Sequence, residues 1–192
     1  ELVDLDSEII NIFYGQTVSH IKAIGEDINS YNYEAICTFS LSINREKETT
    51  NIYDCFDLFT NTQILDGDNK WKYDKDGKYY DIEKNLMIWQ FPNILIIHLK
   101  RFDNNGKKIN TLIDFPIDKL DLTKYCVGYD KYKSNFSLFG IINHVGNLNS
   151  GHYYSYCKTD ENWYKFDDTN VNRINKNKLI TENVYCLFYK KI

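Results

Sequence analysis

The chain has 192 residues, which is enough for one compact unit with a sizeable hydrophobic core. Hydrophobic residues make up 43% of it and charged residues 26%, values that are typical of a globular protein and exclude a disordered tail. The 23 basic and 27 acidic residues give a net charge of −4, which argues against nucleic acid as the main partner and is neutral about protein partners.

Membrane insertion and secretion are not supported by the sequence. The longest aliphatic run, residues 94–97, is far shorter than the roughly 20 residues that a membrane-spanning helix needs. No signal-peptide pattern opens the chain, which begins at Glu1 without Met, so we expect a further segment upstream. The cysteines are odd in number and form no CxxC pair, which predicts a reducing compartment and gives little support for a structural zinc site. They are Cys37, Cys55, Cys126, Cys157 and Cys186.

In chain order, residues 9–43 are predicted to form short strands with a polar break at 25–30. Apolar residues at helical spacing predict one helix near 51–61, with Thr50 or Asn51 as N-cap. Residues 69–80 read as a hairpin that turns at Asp76-Gly77. Buried or alternating strands are predicted at 93–101, 136–143, 151–158, 163–167 and 184–190. The short connections favour antiparallel pairing, so the predicted architecture is mostly β with one clear helix.

A histidine and an acid stand at opposite ends of one predicted hairpin. Strand 151–158 begins with Gly151 and His152, and strand 163–167 ends with Asp167 after a polar turn at 159–162. If the two strands fold back on each other, His152 lies beside Asp167, since directly opposed residues are about 4.5–5.5 Å apart. A carboxylate that orients an imidazole is the base half of a catalytic triad.

The same residues also have a purely structural interpretation, in which His152 merely begins a strand and Asp167 enters a turn. Against it stand the flexible loop at 146–150, which a gating role would need, and Gly151, which lets another backbone approach closely. The other histidines are predicted as hydrogen-bonded core (His98), cleft lining or structural (His144) and surface (His20). No cysteine opens a helix beside Gly or Asn, and there is no GxSxG motif, so the sequence shows no nucleophile.

Several segments, in order, resemble the signature regions of the ubiquitin-specific proteases, cysteine isopeptidases that cut after the C-terminal glycine of ubiquitin. The most specific are residues 91–102 (FPNILIIHLKRF), the histidine box at 138–146 (LFGIINHVG) with 151–154 (GHYY), and the acidic box at 163–168 (WYKFDD). Further matches are 12–16 (IFYGQ), 115–116 (FP), 120–122 (LDL) with Tyr125, and 185–189 (YCLFY).

The resemblance implies an α+β fold of the papain-like, hand-shaped kind, mainly antiparallel β. Residues of about 9–85 would form the fingers and a junction helix, and about 86–192 the palm. The thumb and the cysteine box would lie outside this chain.

The same resemblance implies roles for individual residues. His152 would be the general base, Asp167 its orienting acid and Asp168 an assisting acid ranked below it. Phe102 and Tyr153 would line the channel for the ubiquitin tail, with Gly151 and His144 beside them. The loops at 103–110 and 146–151 would close over that tail.

The implied partners are ubiquitin, ubiquitinated proteins and an upstream thumb segment of the same polypeptide, in the cytoplasm or nucleus and without a cofactor. The paired cysteines that often hold zinc at the fingertip are replaced: Tyr73 and Asp76 stand at one pair, and the other falls near Ala23. We therefore expect a metal-free fingertip.

Three alternatives stay open. The first is a catalytically inactive ubiquitin-binding scaffold. The second is a metal-dependent hydrolase that uses His144, His152 and Asp167, and the third is a plain β domain without ubiquitin contact.

Overall fold

The computed structural model describes residues 7–129 and 131–192. Two α-helices occur in these ranges, α1 at Glu8–Phe13 and α2 at Ile52–Phe59. The strands are β1 Gly15–Ala23, β2 Asn29–Ile36, β3 Thr38–Leu41, β4 Thr49–Asn51, β5 Gln63–Leu65, β6 Trp71–Lys72, β7 Tyr79–Tyr80, β8 Ile82–Gln90, β9 Ile94–Leu99, β10 Leu112–Asp114, β11 Leu120–Asp121, β12 Asn135–Gly146, β13 Gly151–Thr159, β14 Asn162–Asp167, β15 Asn170–Ile174 and β16 Val184–Lys191. No helix in the described ranges is long and apolar enough to cross a bilayer.

Helix α2 confirms the predicted helix and its cap. The Asn51 side chain accepts from the Asp54 backbone N–H at 2.9 Å, and the Asp54 carboxylate accepts in return from the Asn51 N–H. This reciprocal capping satisfies donors that a helix start leaves unpaired. Ile52, Cys55 and Phe56 form the buried face of the helix.

Helix α1 corrects the expectation that strands begin at Ile9. Residues 8–13 form a short helix, and the first strand starts only at Gly15. β-Branched residues favour strands as a weak preference, which tertiary contacts override. Here the Asn93 side chain, just before β9, donates to the Asn11 carbonyl at 3.0 Å and ties α1 to the large sheet.

The larger sheet has the order β15-β14-β13-β12-β16-β9-β3, with β11 also paired to β12. All of its pairings are antiparallel except β3 with β9. The predicted strands at 93–101, 136–143, 151–158, 163–167 and 184–190 are confirmed, while β15 was not expected. The α+β fold class with mainly antiparallel strands is therefore confirmed.

A second sheet has the order β2-β1-β8-β5 and is antiparallel throughout. Its strand β8 was not expected from the sequence. The predicted boundary between residues 85 and 86 falls inside β8, and the division into fingers and palm stays a prediction.

The core joins α2 to the large sheet through aromatic rings. Phe56 of α2 lies 6.3 Å from Phe39 of β3, 6.3 Å from Phe91 and 5.2 Å from Tyr125, measured between ring centroids. Phe91 in turn packs at 5.6 Å against Phe136 of β12. Aromatic pairs at these distances add to the burial of apolar area, so α2 is fixed against β3 and β12.

The hairpin of β6 and β7 confirms the turn predicted at Asp76-Gly77. Gly77 has φ +71°, a conformation that glycine adopts without steric cost. Asp76 accepts from the Tyr80 hydroxyl at 2.6 Å and from the Lys78 backbone N–H at 2.9 Å. Tyr73 packs its ring on Trp71 and Tyr80. The side chains at Tyr73 and Asp76 thus contribute packing and hydrogen bonds to the hairpin.

Candidate active site

His152 and Asp167 form a direct hydrogen-bonded pair at one end of the large sheet. His152 Nε2 lies 2.6 Å from Asp167 Oδ1. The two side chains are 49% and 29% exposed, so the pair is accessible to another molecule. With Nε2–H donating to the carboxylate, Nδ1 of the imidazole keeps a free lone pair that can accept a proton.

The predicted contact is confirmed, but the predicted direct opposition of His152 and Asp167 is wrong. Strands β13 and β14 pair from Thr159↔Asn162 to Ser155↔Phe166. Continued by one pair, this register sets Asp167 opposite Tyr154, so His152 is its diagonal neighbour on the same face. Long side chains bridge such diagonal positions. The register is set by the tight turn at residues 160–161.

The contact between His152 and Asp167 shifts the pKa of each side chain toward its charged form. The pKa of His152 is raised above 6.5, first by its hydrogen bond with Asp167, and further by the negative charges of Asp167 and Asp168. The pKa of Asp167 is lowered, first by its hydrogen bond with Lys165 and second by the one with His152. The carboxylate therefore stays ionised and stabilises the imidazolium.

Asp168 lies beside the pair, at the turn between β14 and β15. It adopts a left-handed backbone conformation with φ +50°. One possible metal-ligand atom from each of His152, Asp167 and Asp168 lies within 4.8 Å of the others, and His144 does not belong to this group. The alternative of a metal site built from His144, His152 and Asp167 is thus contradicted within the described residues. Both oxygens of Asp167 also already have partners.

The predicted channel residues meet in one cluster of rings. His144 lies 5.6 Å from Phe102, 4.7 Å from Tyr153 and 5.8 Å from Tyr185 between ring centroids. His144 is 3% exposed, and burial is the first cause that lowers its pKa, with the charge of Lys108 as the second. Tyr153 is 55% exposed, so the cluster presents an open aromatic surface at the start of β13, where Tyr153 follows His152 in the chain.

Gly151 packs against this cluster because it has no side chain. A Cβ atom at Gly151 would lie 2.1 Å from His144 Nε2 and 2.8 Å from the Val145 carbonyl oxygen. The close approach that the sequence suggested at Gly151 is therefore present, and its partner is the chain's own His144. Glycine here brings β12 and β13 together directly before His152.

The two loops predicted to close over a bound tail lie close to each other. A Cβ atom built on Gly106, in the loop at 103–110, would lie 3.1 Å from Leu148 Cδ2. The second loop is closed by Asn147, whose side chain accepts from the backbone N–H groups of Asn149 and Ser150. Their role as a cover for substrate stays a prediction.

Comparisons with known proteins assign the chain to one family. The family model described as ubiquitin carboxyl-terminal hydrolase matches residues 4–189. The chain belongs to this family. The resemblance to ubiquitin-specific proteases seen in the sequence is thereby confirmed.

Relatives within the family cover much of this chain but are far longer. Ubiquitin carboxyl-terminal hydrolase 21 of Rattus norvegicus is 31% identical over 96% of this chain and 34% of its own length. Ubiquitin carboxyl-terminal hydrolase 9 of Arabidopsis thaliana is 32% identical over 81% of this chain and 18% of its own length. The chain therefore spans less than two thirds of the length of these relatives.

A solved structure shows the same fold. The SAGA Ubp8/Sgf11/Sus1/Sgf73 DUB module bound to ubiquitin aldehyde contains a chain that aligns with a TM-score of 0.82 and 29% identity. The match covers 98% of this chain and 44% of the other.

Four of the five thiols of this chain are poorly placed as nucleophiles. All five cysteines lie in the described ranges. Burial raises the pKa of Cys55 and of Cys186 to about 11, the opposite of what an activated thiol needs. Cys126 donates to the Trp89 carbonyl, and Cys157 lies on the opposite face of β13 from His152.

Sequence reasoning missed three residues that complete the site of this family member. Lys165 contacts Asp167, Tyr185 joins the ring cluster, and the Lys108 ammonium donates to the His144 carbonyl. Only Lys165 left a signal, because it alternates with Asp167 and so shares its face of β14. The contacts of Tyr185 and Lys108 depend on strands that are distant in sequence.

Proposed function

We propose that the protein is a thiol-dependent deubiquitinase in which His152 is the general base and Asp167 its orienting acid. The observation that carries the proposal is the 2.6 Å hydrogen bond between His152 Nε2 and Asp167 Oδ1 in a member of the ubiquitin carboxyl-terminal hydrolase family. The bond leaves Nδ1 as the basic nitrogen. The nucleophilic cysteine comes from a part of the polypeptide outside residues 1–192.

The reaction proposed is acyl transfer. His152 takes the thiol proton, and the thiolate attacks the carbonyl carbon at the C-terminal glycine of ubiquitin. The resulting imidazolium, stabilised by Asp167, returns the proton to the leaving amine as the C–N bond breaks. Water, deprotonated by His152, then hydrolyses the thioester and frees the ubiquitin carboxylate.

The ring cluster is proposed to hold the tail that leads to this bond. Phe102 and Tyr153 offer flat apolar surfaces for an extended backbone, and His144 packs against both rings. Ubiquitin as the partner is supported by the similar DUB module, whose structure was solved with ubiquitin aldehyde. Binding energy from the rest of ubiquitin then positions the scissile bond.

The test is reaction of the full-length protein with ubiquitin that carries a thiol-reactive electrophile at its C-terminus. We expect a covalent adduct on a cysteine outside the present chain. Both His152→Ala and Asp167→Asn should slow its formation, by roughly 10²- to 10⁴-fold, the contribution of a positioned general base. His20→Ala is the matched control, since His20 lies in the second sheet, where it bonds the Asn29 side chain at 2.9 Å and stacks on Tyr31.

Two results would contradict the proposal. An adduct on one of the five cysteines of this chain would show that the nucleophile lies within residues 1–192 and not outside them. Binding of ubiquitin without any adduct would favour the inactive scaffold instead.

A further inference from the structure

The Asp167 carboxylate has a different partner on each oxygen. Oδ1 accepts from His152 Nε2 at 2.6 Å, and Oδ2 accepts from Lys165 Nζ at 2.7 Å. The torsion that rotates a carboxylate is soft and roughly two-fold, so one hydrogen bond alone fixes its orientation poorly. A second, charged donor on the other oxygen removes that freedom.

Lys165 is itself held in place by a tyrosine. Its Nζ lies 4.3 Å from the centroid of the Tyr154 ring, within the range of a cation–π contact. The Tyr154 ring packs at 5.5 Å against the ring of Tyr156, which is 6% exposed. The sheet register explains the arrangement, because Lys165 pairs with Tyr156 and lies two residues before Asp167 on the same face.

We propose that Lys165 is a positioning residue, braced by Tyr154, that fixes the rotation of the Asp167 carboxylate so that Oδ1 faces His152. The inference rests on the proposed function for its catalytic consequence, whereas the positioning itself is a property of the described residues. Lys165 contacts Asp167, and its positioning effect reaches His152 through that carboxylate.

The charged and titratable groups around His152 are few. On its own face of β13 and β14 they are Tyr154, Tyr156, Lys158, Lys165 and Asp167, and the following turn adds Asp168. Opposite β14, strand β15 offers Asn172 to Lys165 and Asn170 to Asp167, and on β12 the residue opposite His152 is Val145. Lys158 lies at the far end of β13 from His152, so Lys165 is the one cation of these described elements that contacts the pair.

Lys165 acts on the protonation of His152 in two opposite ways, which makes the positioning role testable. Its positive charge disfavours the imidazolium and lowers the pKa of His152. By holding Asp167 it preserves the hydrogen bond that is the first cause of the raised pKa of His152. If Lys165 positions Asp167, its removal lowers the titration midpoint of His152; if it acts only as a charge, its removal raises that midpoint.

The experiment compares Lys165→Met and Lys165→Arg in the full-length protein. Lys158→Met is the matched control, because Lys158 lies on the same face of β13 with a similar exposed fraction of 31% against 34%. The His152 midpoint is measured by NMR on protein labelled with ¹³C-histidine, with His152→Ala to assign the signal. The kcat and KM for cleavage of a ubiquitin C-terminal amide are measured in parallel.

We expect Lys165→Met to lower the His152 midpoint. It should also reduce kcat by roughly 10- to 100-fold, as when outer partners of functional side chains are removed, with KM little changed. Lys165→Arg keeps a cation on Asp167 Oδ2 and should retain most of the His152 midpoint and of kcat. Lys158→Met should change neither the midpoint nor kcat. An unchanged or raised His152 midpoint in Lys165→Met would overturn the proposal. An equal decrease of the midpoint and of kcat in Lys158→Met would overturn it as well. If the wild-type protein cleaves no ubiquitin, the proposed function fails, but the NMR titration still decides the role of Lys165.

Discussion

Replacing Arg101 by methionine should destabilise the fold strongly, although Arg101 has no acidic partner in its hydrogen bonds. Its side chain is 0% exposed. Nε donates to the carbonyl of Val184, and Nη1 donates to those of Ile109 and Thr111, each at 2.9 Å. One guanidinium thus joins the start of β16 to the end of the loop at 103–110 and to Thr111, which follows it.

The magnitude follows from two opposing contributions. Hydrogen bonds from a charged donor stabilise by about 1.5–3 kcal/mol each, so three of them contribute about 4.5–9 kcal/mol. Burial lowers the pKa of Arg101 from 12.5 to about 10, which corresponds to roughly 3 kcal/mol of unfavourable charge burial. The Arg101→Met variant avoids the cost of burying a charge, but it loses the three hydrogen bonds. We therefore expect Arg101→Met to reduce the free energy of unfolding by about 2–6 kcal/mol.

The assay is equilibrium urea denaturation followed by tryptophan fluorescence, with Lys100→Met as control. Lys100 is the exposed neighbour of Arg101, and its replacement should change stability by less than about 0.5 kcal/mol. Arg101→Lys should fall between the two, since a single ammonium cannot span three carbonyls. A decrease of less than about 1 kcal/mol in the free energy of unfolding of Arg101→Met would refute the reasoning. It would mean that water donates to the three carbonyls in place of the guanidinium.

Three further predictions concern the core and the site. Gly151→Ala should impair reaction with the ubiquitin electrophile, because its Cβ would lie 2.1 Å from His144 Nε2. Gly140→Ala is the control and should react normally, because its Cβ would approach only the Phe188 side chain, at 3.4 Å. Phe56→Ala should lower the free energy of unfolding by about 3–5 kcal/mol in urea denaturation, and a loss below about 1 kcal/mol would contradict its core position. The raised pKa of His152 means that its ion pair stabilises the fold fully below about pH 6.5 and that this stabilisation fades as the pH rises through the raised value. The stability difference between wild type and His152→Ala should accordingly narrow from pH 5.5 to 8.5, and a constant difference would contradict the shift.

Local sequence patterns were sufficient where the structure is local. The alternation in 151–158 and 163–167 predicted a hairpin with both His152 and Asp167, because side-chain direction in a strand has a period of two and the turn lies between them. The capping of α2 by Asn51 could be read in the same way, since all of its partners lie within one helical turn. Family motifs then supplied the roles that spacing alone could not.

Where several segments meet, sequence patterns were insufficient. Residues 8–13 form a helix although their β-branched side chains weakly favour strands, and Asn93 of a distant segment donates to the Asn11 carbonyl of that helix. Strand β8 pairs with both β1 and β5, which a reading of single segments does not reveal.

The sequence by itself determined that the chain is a mainly antiparallel α+β member of its family, and that a histidine and an acid come together in one hairpin. Tertiary structure alone decided how they meet. The register makes His152 and Asp167 diagonal rather than opposite, and it sets Lys165 on the second carboxylate oxygen. The physical reason is that local patterns fix which face a side chain takes, whereas its distance to a partner depends on register and packing between strands.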